Sequence, residues 1–145
     1  MPLVRHAIVL LLSGIMGVVP ALAGDVPSTI FGRYTGMKCP KDDATCISTT
    51  ASDLVQVTRL GGGGIKVSAR IIFGQGHTCQ MEGNAEWSDG KLTLRADGLI
   101  PNEPCELQAR IQGPILTLDD PGGRCQVVYC GARGAFRGAH FTRRQ

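Results

Sequence analysis

From Ile65 to Ile71 the chain alternates without a break: Ile65, Val67, Ala69 and Ile71 are apolar or small, and Lys66, Ser68 and Arg70 between them are polar. The same phase returns in Cys79, Met81, Gly83, Ala85 and Trp87, interleaved with Gln80, Glu82, Asn84 and Glu86. It returns again in Cys105, Leu107, Ala109 and Ile111, interleaved with Glu106, Gln108, Arg110 and Gln112. A period of two puts one set of side chains on a buried face and the other in water, so these segments predict half-buried β-strands. Shorter runs around Leu92 and Leu94, and around Leu116 and Leu118, follow the same rule. No stretch after residue 23 carries a convincing helical stripe. The pattern predicts strands at 31–37, 53–60, 65–73, 78–87, 91–97, 105–112, 115–119, 125–130 and 135–142.

Between the strands lie residues that accept positive φ or interrupt a ladder: Gly61 to Gly64, Gly74-Gln75-Gly76, Ser88-Asp89-Gly90, Gly113-Pro114, Asp119 to Gly123, and Gly131 to Gly134. Most connections are short, which makes consecutive strands antiparallel neighbours. The expected fold is all-β, a small antiparallel meander barrel of eight or nine strands, with a two-sheet β-sandwich as the alternative. Closure favours the barrel because it removes the sheet edges that a long meander exposes. The aromatic-bearing segments Phe31 to Gly36 and Phe136 to Phe141 suit the seam. The Gly61 to Gly64 run is followed by a strand, so it fits a hairpin loop and not a phosphate cradle, which needs a following helix.

The first residues differ from the rest. One cation, Arg5, precedes an apolar run from Ala7 to Val19, then Pro20 and an Ala21-Leu22-Ala23 cleavage pattern. This predicts a signal peptide over residues 1–23, with residues 24–145 forming one domain. The apolar run has about 13 residues, whereas a membrane span needs roughly 20, so no transmembrane segment is expected once the signal is cleaved. All six cysteines, Cys39, Cys46, Cys79, Cys105, Cys125 and Cys130, follow the proposed cleavage site. An even number in an exported chain predicts three disulfides and a periplasmic or secreted location. Without a C-x-x-C pair, zinc is not expected. Cys39 and Cys46 bracket a polar loop and are expected to join. Geometry ranks Cys79 with Cys105, provided the intervening strand ends near Gly98, and leaves Cys125 for Cys130 across a bend.

Composition and charge exclude more than they identify. Hydrophobic content of 43% argues against disorder, and the 122 residues left after the signal suit one domain. Two histidines follow the signal, His77 and His140, and neither lies in a nucleophile elbow or activated-thiol context. His77 is expected in an exposed loop. With the cysteines oxidised, no thiol nucleophile remains. The pairs Glu82/Glu86 and Asp119/Asp120 lack an evident source of the unlike environments that acid–base catalysis requires. No enzyme activity, metal or cofactor is therefore expected. Charge is uneven: residues 97–120 hold five acids and one base, whereas residues 121–145 hold five arginines and no acid. Arg133, Arg137, Arg143 and Arg144 are accordingly the candidate binding residues for an anionic partner. Nucleic acid is not expected, because no aromatic stacking platform interleaves with the bases.

The stretch Cys125 to Gly134, CQVVYCGARG, followed by Phe136, Gly138 and Phe141, resembles the ending of small exported bacterial proteins with a closing C-G-A-R-G segment. The resemblance spans roughly residues 79–141 and transfers no functional residue. The overall build is also similar to the membrane-bound and periplasmic C-type lysozyme inhibitors, although their serine- and tyrosine-bearing inhibitory motifs do not occur here. The resulting expectation is an exported, non-enzymatic binding protein engaging a protein or an anionic envelope component, in its most concrete form an inhibitor of a hydrolase such as lysozyme or a secreted protease. Two alternatives are a carrier of a small apolar ligand and a structural envelope protein on an anionic surface. The inward set Ile65, Val67, Ile71, Met81, Trp87, Leu94, Leu107 and Ile111 is expected to fill a small barrel, which disfavours the carrier.

Overall fold

A computed structural model describes residues 25–145 apart from positions 40 and 43. The proposed signal, residues 1–23, lies outside the described residues. Eight strands close into an antiparallel barrel in sequence order: β1 (Gly32–Gly36), β2 (Leu54–Arg59), β3 (Ile65–Ile72), β4 (Thr78–Ser88), β5 (Lys91–Ala96), β6 (Cys105–Gln112), β7 (Ile115–Asp119) and β8 (His140–Arg143). The seam forms between the first and last strands, with Gly36 opposite Phe141 and Tyr34 opposite Arg143. The barrel, and not the sandwich, is therefore the fold.

The period-two pattern explains the interior. Val55, Val57, Val67, Ala69, Ile71, Met81, Leu92, Leu94, Leu107, Leu116, Leu118 and Phe141 are buried and belong to one cluster. An eight-stranded barrel is just wide enough for such side chains to fill. Of the expected inward set, all are buried except Trp87 and Ile111, which are half-buried near one mouth.

The two ends differ. At one, the connections 60–64, 89–90 and 113–114 are tight; Asp89 (φ 53°) and Gly90 (φ 76°) form the doubly positive hairpin turn that matches strand twist. At the other, residues 37–53, 97–104 and 120–139 form long connections beside the short 73–77 loop, and every disulfide lies there. We call these the turn end and the disulfide end.

Three expectations are corrected at the disulfide end. Residues 125–130 do not form a strand; Arg124–Tyr129 is a helix, α1. The buried Asp120 carboxylate fixes its start by accepting from the backbone N–H groups of Cys125 (3.1 Å) and Gln126 (2.7 Å). The last strand covers only His140–Arg143, because residues 136–139 turn back on themselves and pin Ile47, whose N–H donates to Gly138 O at 2.7 Å. The disulfides are Cys39–Cys46, Cys79–Cys130 and Cys105–Cys125. The first matches expectation and the other two replace the expected pairs. Strand stagger is the reason: Ala96, the last residue of β5, lies opposite Cys105, and the β4–β5 register (Ala85 opposite Leu94) carried on sets Ala96 level with Gly83, so Cys79 lies further along β4 as well as two strands away. Instead α1 packs against both strands; Cys125 within it bonds to β6, and Cys130, immediately after it, bonds to β4.

Candidate functional site

Beside α1, the connection from β5 to β6 carries Leu99 and Ile100, which are 74% and 56% exposed. A turn holds this tip in place. Glu103 N–H donates to Ile100 O at 3.1 Å, Pro101 takes the second turn position and Asn102 the third, with φ of 65°, as a type II turn requires. Gly98 packs under the turn so closely that a Cβ there would overlap the carbonyl oxygen of Glu103. Val127, 63% exposed, and Val128 extend the apolar surface onto α1. Leu99, Ile100 and Val127 line a shallow cleft of about 190 Å3 with Gly98, and the Arg124–Glu103 ion pair (3.3 Å) closes its edge. Tyr129 Oη donates to Asp97 O at 3.2 Å, tying helix to loop. These groups form an exposed apolar patch on a turn-held loop, of the kind that marks an interaction surface.

The structure brings the four candidate arginines together only in part. At the disulfide end, Arg133 donates to Gln75 Oε1 (2.9 Å) and Arg137 pairs with Asp119 (3.1 Å). At the turn end, Arg143 donates to Phe31 O and Arg144 to Thr35 Oγ1, each at 2.9 Å. No single arginine face exists among these four.

The carboxylate pairs are split as well. Glu82 pairs with Lys66 and Glu86 with Arg95, both at 2.8 Å on the outer barrel face. Glu86 and Glu106 together hold the Arg95 guanidinium above its ordinary pKa through hydrogen bonds. Asp119 pairs with Arg137, while Asp120 caps α1. His77 is half-buried against Gly131 instead of freely exposed, and His140 Nδ1 lies 2.7 Å from Gly138 O. Among the described residues no group of three His, Cys, Asp or Glu side chains could hold a metal ion.

The sequence reading missed the tip. Its signal was present: two large apolar residues, Leu99 and Ile100, stand within a run of Gly, Pro and Asn that cannot form a strand. No protein-family model, curated protein or solved structure matches the chain.

Proposed function

We propose that this protein is an exported, non-enzymatic binding protein that inserts its disulfide end into the cleft of a partner protein, most concretely a hydrolase such as a lysozyme or secreted protease, which it inhibits. The exposed, turn-locked Leu99-Ile100 tip beside Val127 carries the reading. A turn that already holds the backbone of this tip reduces the ordering cost of association. Two disulfides hold the neighbouring helix, and three disulfides suit an oxidising periplasmic or extracellular compartment. No helix among the described residues is long and apolar enough to cross a membrane.

The test mixes the oxidised protein with a panel of lysozymes and secreted proteases and analyses each mixture by size-exclusion chromatography. Co-elution with at least one hydrolase is expected. Separate elution from every member at micromolar concentration counts against the inhibitor.

A further inference from the structure

A second site lies at the opposite end of the barrel. The interior is filled through its middle and disulfide end, but toward the turn end the packing stops short and leaves an open cavity of about 750 Å3. Ile30, Trp87, Ile111 and Pro114 supply apolar walls, and Arg143 and Arg144 supply charge. No Asp or Glu side chain lines it.

Arg143 is placed there by strand phase. It stands opposite the buried Tyr34 in the β1–β8 register and two residues after the buried Phe141, so it takes an inward position at the mouth. Gly32 lies beside it, with a φ of 143° that favours glycine. The guanidinium donates one hydrogen bond to Phe31 O and, among the described residues, has no carboxylate partner. A second cation stands nearby, with the Arg59 guanidinium 4.3 Å from the Phe31 ring centroid.

We infer that the turn-end mouth binds a small amphipathic anion, its flat or short apolar body lying against Trp87 and Ile111 and its carboxylate, sulfonate or phosphate head meeting the Arg143 guanidinium. The cavity volume falls within the ordinary range for small-molecule sites, roughly 300–1,000 Å3. A guanidinium with five donors, one of them held by a backbone carbonyl, retains the fork that anionic oxygens match. This site is independent of the protein-binding tip, which lies at the other end.

Trp87 is the sole tryptophan of the chain, so its emission reports on the mouth directly. Oxidised protein is titrated with anilinonaphthalene sulfonate, an amphipathic anion, and with uncharged phenylnaphthylamine. Saturable quenching of Trp87 by the sulfonate is expected. Arg143→Gln should weaken sulfonate binding about tenfold, the effect of one charge-assisted hydrogen bond, and leave the uncharged probe within twofold. Thr29→Glu puts a carboxylate on the exposed rim without touching the Phe31 contact, and should weaken sulfonate binding in the same direction even if Arg143→Gln fails to fold. Absence of saturable quenching overturns the inference. So does equal sulfonate affinity in wild type and Thr29→Glu, or a loss of quenching caused by Leu99→Ser instead of the mouth substitutions.

Discussion

Removing the Cys79–Cys130 disulfide as the Cys79→Ala/Cys130→Ala pair should cost far more stability than removing Cys39–Cys46. The two cross-links differ in the loop they close, with sequence separations of 51 and 7. Chain-entropy arithmetic gives roughly 4 kcal/mol for the longer loop and about 2 kcal/mol for the shorter. Cys105–Cys125 lies inside the longer loop and shortens it effectively by about 20 residues, which trims that contribution by only a few tenths of a kcal/mol because the dependence is logarithmic. Packing adds a second loss. Cys79 is fully buried, and its sulfur stands 2.6 Å from where a Cβ on Gly134 would be, with the Phe73 ring alongside. Truncation there leaves a sulfur-sized gap worth about 1 kcal/mol. The expected losses are thus roughly 4–5 kcal/mol against about 2 kcal/mol, the former a large share of the 5–15 kcal/mol typical of a domain. Urea unfolding of both double variants, followed by circular dichroism, measures the difference. A gap under about 1 kcal/mol, or a larger loss for Cys39→Ala/Cys46→Ala, would refute the idea that the α1 staple governs this end.

Two further perturbations follow. Gly98 has no positive φ, so Gly98→Ala acts through the clash with the Glu103 carbonyl alone; it should cost about 1–3 kcal/mol, increase amide exchange in residues 97–104 and leave the β1–β3 amides unchanged, as read by hydrogen–deuterium exchange mass spectrometry. Burial raises the pKa of Tyr34 above its ordinary value, an effect the Arg143 charge partly offsets. Its stabilising contribution is therefore complete below about pH 10 and is lost as pH rises through the folded-state value. Tyr34→Phe should lose about 1 kcal/mol at neutral pH with the 2.8 Å bond to Ile30 O, yet show a shallower fall in stability above pH 10. Parallel alkaline profiles for wild type and variant would contradict the assignment.

Legibility followed the source of each element's stability. β2 to β7 follow a period-two pattern that is written into adjacent residues, and turns such as Asp89-Gly90 carry their own conformational requirement. α1 was hidden because six residues are too few for a helical stripe and the adjacent Val127 and Val128 favour strands. Contacts from elsewhere in the chain impose it: the Asp120 cap, Cys105 and Cys79. The two long-range disulfides were illegible for the same reason, since α1 carries their partners across β5. Among the candidate arginines, Arg143 was partly readable, sharing parity with the inward Phe141. The separation of Arg133 and Arg137 from Arg143 and Arg144 depends on where β8 starts, which composition does not encode. The Leu99-Ile100 tip lay in a loop, where alternation offers no guide.

The most direct test of the proposed function is hydrolase activity, titrated in parallel with oxidised wild-type protein and with Leu99→Ser/Ile100→Ser across the lysozyme and protease panel. Both substitutions fall on exposed side chains, so the barrel should retain its stability. At least one enzyme should lose activity stoichiometrically with the wild type and recover with the variant. Full activity of every enzyme at micromolar wild type, or equal inhibition by both proteins, would contradict an inhibitor that works through this tip.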